Sequence, residues 1–293
     1  MTQPGNLFEV APPKINLFLH VTGRREDGYH LLESLAVFLT HGDRVSAQAD
    51  TAVSLAVAGP FAAPLQGDGS NLVTQAAALL QSRYPQAAGA GARLTLKKVL
   101  PVASGIGGGS ADAAATLRLL NRLWGLGLGR EALSALGEEL GADVPVCVRG
   151  RPALMSGIGE TLIDVPGLPE AGILLVNPGV EVSTPQVFKA LGPLKGARPV
   201  PDFSGVSFAG LIDGLRQCEN DLQPAAIRLC PEIKQVLAVL DGLEGARLTR
   251  MSGSGATCFA LFSSEEEARQ AAQKIASDHP RWWGMAGRLD TGA

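Results

Sequence analysis

The segment Leu100–Leu117, reading LPVASGIGGGSADAAATL, constrains this chain more than any other stretch. Before it, residues 93–99 alternate apolar and polar side chains, the period of a half-buried strand. After it, Ala113, Ala114, Leu117, Leu120 and Trp124 recur at helical spacing. The order is therefore strand, glycine loop, helix. Gly105, Gly107, Gly108 and Gly109 carry no Cβ, so their backbone can take positive φ and approach a ligand closely. A row of exposed N–H groups at a helix start, reinforced by the helix dipole, is a ready anion site. Ser110 or Asp112 is expected to cap that helix.

Known anion-binding patterns narrow the reading. No Gly-Lys-Ser/Thr follows the loop, which excludes a Walker A site. Gly105 and Gly107 give Gly-x-Gly, but Ser110 stands where a dinucleotide fingerprint needs its third glycine. Glu131 lies at about the right distance for a ribose carboxylate, yet it reads as first-turn helix chemistry.

The chain has 293 residues, 46% hydrophobic and 18% charged, enough for one large or two medium domains with a substantial core. A net charge of −3 argues against nucleic-acid or anionic-membrane binding, so any phosphate site must be local. Cys147, Cys218, Cys230 and Cys258 form no C-x-x-C pair and no zinc spacing, which points to buried thiols in a reducing, cytoplasmic setting. No secretory leader and no apolar run of ~18 residues is evident.

Along the chain, Ile15, Leu17 and Leu19 alternate with Asn16, Phe18 and His20, a strand with one apolar face. Lys14 and Asn16 share the other face. A lysine there can snorkel to solvent or serve a site. Asp27-Gly28 marks a turn before Tyr29 and His30, and a second strand covers 31–38. Residues 53–57 read as a strand and 59–69 as a loop. A helix opens at Ser70 or Asn71 and runs to about Arg83, with Leu72, Ala76, Leu79 and Leu80 on one stripe. A helix over 130–140 ends at Gly141 as a left-handed cap. Asp143, between Gly141 and Pro145, is either a helix cap or a functional carboxylate. Residues 153–159 and 161–165 bracket a turn, and patterning restarts there. The expected domains are 1–160 and 161–293, with the last strand, near Arg288, returning to the first. Residues 172–177 read as a buried strand, and Ser183-Thr184-Pro185 opens a short helix. Residues 192–205 form a mobile surface loop, and Glu219–Leu222 starts a helix. Ser252, Gly253 and Gly255 lie in a second glycine turn that can lean on the same anion, and Ser264 with Glu267 forms a capping box.

Three motifs stand in order: Pro13–Leu19 (PKINLFL), the Pro101–Ala115 glycine loop and Ser252–Ala256 (SGSGA). This set resembles the GHMP kinase superfamily of small-molecule kinases. Asp27–His30 (DGYH) and Gly141–Gly150 (GADVPVCVRG) look like the branch whose acceptor is a cytidine diphosphate-linked methylerythritol, in non-mevalonate isoprenoid synthesis. The likeness runs from about Ala11 to Phe262. It implies an α+β fold, a two-domain α/β sandwich with the active site in the interdomain cleft, acting on ATP with Mg²⁺.

By that resemblance Asp143 is the base for the substrate's 2-hydroxyl. Lys14 sits beside it, holding the carboxylate ionised. Asn16 orients the same group. Tyr29, His30 and Phe188 hold the cytidine, with Thr184 near that pocket. Asn71, Lys98, Pro101, Ser104, Gly105, Ile106, Gly107, Gly108, Gly109, Ser110, Ser252 and Gly253 surround the nucleotide, and Ser110 also lies near Mg²⁺. Three positions depart from the pattern: Ala103 replaces a common glycine, Ala111 a serine and Asp112 an asparagine. Monomer and homodimer stay open. The rival readings are a homoserine or mevalonate-type kinase, a non-catalytic nucleotide-binding module and a dinucleotide-dependent oxidoreductase.

Overall fold

The alternation at residues 93–99 forms an inner strand of a sheet. The computed structural model describes residues 7–66, 71–87 and 89–292. In chain order the elements are β1 (Leu7–Ala11), β2 (Lys14–Arg24), β3 (His30–Phe38), β4 (Asp43–Asp50), β5 (Val53–Ala58), α1 (Leu72–Arg83), β6 (Gly91–Lys97), α2 (Gly108–Leu123), α3 (Arg130–Leu140) and α4 (Val144–Arg149). There follow β7 (Ala153–Gly157), β8 (Thr161–Asp164), β9 (Gly172–Asn177), α5 (Thr184–Lys189), α6 (Phe208–Arg216), α7 (Gln223–Leu229), α8 (Glu232–Asp241), β10 (Leu248–Met251), β11 (Cys258–Phe262), α9 (Glu265–Asp278) and β12 (Trp283–Arg288).

By compactness these elements divide into two units, each drawn from several separate stretches of the chain. One takes the chain up to Pro13, His41–Val102 and Gly107–Gly150; the other takes Lys14–Thr40, Ala103–Ile106 and everything from Arg151. The reason is strand pairing: β3 pairs with β7, which ties β2 and β3 to the later sequence.

The first unit holds a sheet of order β1-β4-β6-β5, antiparallel except for β5 beside β6. Val45, Ala47, Leu94 and Leu96 are buried from alternate positions. Helix α2 packs on β1 and β4, and its Ala111, Ala113 and Ala114 bring its backbone close. Around it stand α1, α3 and α4. Helix α1 is capped by the Asn71 side chain on the Val73 N–H at 2.9 Å, while Ser70 lies outside the described residues. It buries Val73, Ala76, Ala77 and Leu80, a stripe rotated from the expected one. Gly141 does not take the left-handed cap: its φ of 159° and ψ of 153° are extended, because the chain turns at once into α4.

The second unit holds two antiparallel sheets, β2-β3-β7-β8 and β10-β11-β9-β12. Helices α8 and α9 pack on the latter. Strand β12 pairs with β9; beyond it Leu289 bridges Leu39, and the Asp290 N–H bonds the Phe38 carbonyl. Strand β2 is buried on both faces from Lys14 to Val21, not on one as alternation suggested. Its register against β3 shifts between Asn16 and Leu19, a bulge that frees backbone groups for other partners. The Leu19 N–H bonds Glu219 O at 3.0 Å, and the Asp221 N–H bonds Leu19 O at 2.9 Å. Residues 219–221 therefore pair with β2 instead of starting a helix, which begins only at Gln223.

Two features escaped the sequence reading. Helix α6 follows the irregular 192–205 segment, whose Phe203 is buried and whose Arg198 pairs with Glu219 and Asp221. Arg250 is also buried. Its guanidinium donates to the carbonyls of Leu17 (2.6 Å), Leu215 (2.9 Å) and Cys218 (2.7 Å). Burial lowers its pKa to about 10, which leaves it charged at neutral pH.

Replacing Arg250 by Met removes a buried charged donor from three carbonyls, of which Leu215 O keeps the Cys218 N–H, and stability should fall by about 3 kcal/mol or more in urea unfolding. Arg250→Lys should recover only part, since an ammonium lacks the planar fork. An unchanged unfolding midpoint for Arg250→Met would contradict this account.

Candidate active site

Lys14 opens β2 with its side chain only 4% exposed, so it does not snorkel to solvent. Its ammonium donates to Asn16 Oδ1 at 2.9 Å, as expected for residues two apart on one strand. The Asn16 amide is oriented from its other end: Nδ2 donates to Ser34 Oγ at 2.6 Å, and that hydroxyl donates to the Phe18 carbonyl at 2.6 Å. Ser34 was not anticipated, because a serine on a neighbouring strand carries no local motif.

The first part of the glycine loop seats on this strand. The Lys14 N–H bonds Ile106 O at 2.9 Å. Ser252 Oγ accepts the Asn16 N–H at 3.1 Å and donates to Gly105 O at 3.0 Å. Ser252 is fully buried, and its hydroxyl is engaged in joining the two glycine turns. Those turns meet backbone to backbone. A Cβ on Gly105 would lie 2.6 Å from Ser252 O, and one on Gly253 would lie 2.7 Å from Gly105 O. Both glycines also hold positive φ, 76° and 53°. Ala103, standing where the resemblance expects glycine, takes φ 50° despite its methyl group.

The second part of the loop starts α2. Gly107 is the cap residue at φ 60°, and no side chain caps the helix, so neither Ser110 nor Asp112 plays the expected part. The first helical bond runs from the Ala111 N–H to Gly107 O at 2.8 Å. The amides of Gly108, Gly109 and Ser110 thus precede the intrahelical ladder, as first-turn donors do. Gly109 lies beside the start of α1: a Cβ there would contact Leu72 at 3.5 Å. Asn71 spends its Oδ1 on the α1 cap, while its buried Nδ2 has no partner.

Asp112 faces inward instead. Its Oδ2 accepts from Lys98 Nζ at 2.6 Å, and the same ammonium donates to Asp43 Oδ2 at 2.5 Å. All three side chains are almost completely buried. Asp43 Oδ1 accepts the N–H groups of Val99 (2.5 Å) and Leu100 (2.9 Å). Burial pushes the Asp112 pKa up to about 7 against the pull of Lys98, and the Asp43 charge adds to the rise. Burial works against the Lys98 ammonium, but the two carboxylates outweigh it and raise its pKa. Sequence reasoning missed Asp43, which lies 55 residues from Lys98.

Asp143 is half-buried at the head of α4. It occupies the cap position, but its side chain makes no cap hydrogen bond. Helix α4 packs on α2 and α3. In the other unit, His30 stacks on Phe188 with centroids 4.8 Å apart, and Tyr29 is exposed. Burial, and then Arg24, hold the His30 pKa below 6.5, so its ring is neutral at pH 7. Thr184 Oγ1 and Ser254 Oγ share a hydrogen bond at 2.7 Å, which ties α5 to the second glycine turn.

These residues fit a nucleotide's phosphates through an uncapped helix start behind glycines, and a base edge through the unpartnered Asn71 amide. Among the described residues no cluster of three His, Cys, Asp or Glu could cage a metal. A Mg²⁺ here would rely on phosphate oxygens, with Ser110 the hydroxyl that the resemblance assigns to it.

Comparison with known proteins places the chain in a family. Residues 71–151 match the GHMP kinases N terminal domain, and residues 207–281 match the GHMP kinases C terminal domain. A 4-diphosphocytidyl-2-C-methyl-D-erythritol kinase of Gluconacetobacter diazotrophicus is 51% identical, over 99% of this chain and 98% of its own. One of Cereibacter sphaeroides is 52% identical, over 95% and 98%. A crystal structure of 4-(cytidine 5'-diphospho)-2C-methyl-D-erythritol kinase superposes with TM-score 0.79 at 34% identity, covering 97% of this chain and 99% of that one. Homoserine kinase from Cytophaga hutchinsonii shares the fold alone, with TM-score 0.72 at 18% identity, over 99% and 96%. On its motifs, its glycine turns and its near-complete alignment to these relatives, the chain belongs to the 4-diphosphocytidyl-2-C-methyl-D-erythritol kinase family of the GHMP kinases.

Proposed function

We propose that the protein transfers the terminal phosphoryl group of ATP to the 2-hydroxyl of 4-diphosphocytidyl-2-C-methyl-D-erythritol, giving the 2-phosphate and ADP in isoprenoid precursor synthesis. The observation that carries this reading is the seating of the glycine loop on the buried Lys14–Asn16 pair through Ile106, in a chain half identical to kinases of that name.

Phosphoryl transfer needs positioning and charge stabilisation more than covalent chemistry from the protein. The amides at 107–110 hold the phosphates, and ATP with Mg²⁺ supplies the activated phosphoryl group. Asp143 accepts the proton of the 2-hydroxyl as its oxygen takes up phosphorus. The Lys14 ammonium offsets the negative charge that gathers there. Asn16, locked by Ser34, fixes the direction in which that ammonium points. The Phe188–His30 stack offers a flat aromatic surface for the cytosine ring, with Tyr29 beside it in sequence. The family's N-terminal domain is read as residues 1–160 and its C-terminal domain as 161–293. Four thiols, none in a disulfide, suit the cytoplasm.

Asp143→Asn should lower kcat by about a hundredfold or more while the Kd for MgATP moves less than about threefold. Nearly intact turnover would remove Asp143 as the base. Phe188→Ala should raise KM for the cytidine substrate by about tenfold, with kcat changed much less. Steady-state kinetics with homoserine and mevalonate as competing acceptors complete the test, since efficient phosphorylation of either would overturn the substrate assignment.

A further inference from the structure

The resemblance assigns Lys98 to the nucleotide, but its surroundings describe a different task. The ammonium is 2% exposed and lies between two buried carboxylates, at 2.5 Å from Asp43 and 2.6 Å from Asp112. To reach a ligand on the solvent side it would have to leave both, stranding two buried carboxyl groups without their cation. Breaking a buried pair from one side is strongly destabilising. The three residues come from three places: the start of β4, the exit of β6 and the second turn of α2. Asp43 also holds the two backbone N–H groups that follow Lys98, so it fixes the path of the chain into the glycine loop. On the other side, a Cβ on Gly108 would lie 3.2 Å from the ammonium, which places Lys98 directly beneath the first residue of α2. The remaining oxygen of Asp112 is buried without a partner, so the carboxyl is held through the Oδ2 that faces Lys98.

We propose that Asp43, Lys98 and Asp112 are positioning residues: a buried ionic clamp that sets where the first-turn amides of α2 stand, with Lys98 acting on the nucleotide only through that helix. The inference rests on the reading of those amides as the phosphate cradle. It adds Asp43 and Asp112 to the residues on which nucleotide affinity depends, and it gives Lys98 a role without ligand contact.

A double-mutant cycle on Lys98→Met and Asp112→Asn, each confirmed as folded by circular dichroism, separates the two roles. Direct titration with MgATP gives Kd for all four proteins. If Lys98 works through the clamp, Lys98→Met should weaken MgATP by about tenfold in the parent. In the Asp112→Asn background it should weaken it by less than about threefold, because the two changes share one mechanism. Equal losses in both backgrounds would mean that Lys98 touches the nucleotide directly, and would overturn the clamp.

A second readout needs no ligand. Amide hydrogen exchange in the nucleotide-free protein should speed up at residues 108–113 in both single variants, more than in β4 or α3. Protection at 108–113 unchanged from the parent would also overturn the clamp. If exchange speeds up as expected but no protein in the cycle binds MgATP, the clamp's structural part stands and the nucleotide reading fails. Where Lys98→Met proves too unstable to purify, because it leaves two carboxyl groups facing each other without a cation, Asp112→Asn alone carries both measurements. It should give faster exchange and a Kd weakened about threefold or more. A parent-like result in either would sink the proposal.

Discussion

Everything at this site depends on two glycine turns touching through their backbones. Gly105 and Gly253 lie so close to each other's turn that a methyl group on either would fall inside contact distance of a carbonyl oxygen. Without side chains between them, the peptide planes are joined by one buried hydroxyl, Ser252, which also takes the Asn16 N–H. One serine thereby couples the loop, the second turn and the strand bearing Lys14. Such a junction tolerates little adjustment, because each partner is main chain and cannot rotate out of the way.

Charge burial is the second organising theme. In one unit an ammonium holds two carboxylates; in the other a guanidinium holds three carbonyls, one of them exposed for bonding by the bulge in β2. Both arrangements are costly to desolvate, and both tie together segments far apart in sequence. The desolvation cost is offset by satisfying many donors and acceptors at once. The bulge also explains why residues 219–221 run beside β2: freed ladder groups on Leu19 need partners, and Glu219 and Asp221 supply them.

Much of this was legible in the sequence. Strand, loop and helix around residue 105 followed from apolar spacing and glycine content, and the second glycine turn followed from its flanking strands. That Lys14 and Asn16 share a face followed from the two-residue repeat of a strand, and the structure adds the hydrogen bond between them. What escaped was non-local. Asp112 looked like a cap because it stands near a helix start, yet its side chain turns inward to a lysine 14 residues earlier. Glu219–Leu222 looked like a helix start because acidic and amide residues favour one, whereas a bulge elsewhere decides its conformation. Strand β2 looked half-exposed because Asn16 and His20 are polar. Both are buried, Asn16 against Ser34 and His20 with its Nε2 accepting the Glu219 N–H.

Ala103 holds a backbone angle that its methyl group disfavours, at φ 50°. The residue has no local reason to adopt it, so the shape must be imposed from outside. Ser104, next in line, accepts the Thr257 N–H, and Gly105 is pinned by Ser252. The bend at the mouth of the loop is therefore a property of its scaffold and not of its own residue. A chain built this way holds its loop geometry with an alanine at the bend, and the touching turns behind it carry the cost of that angle.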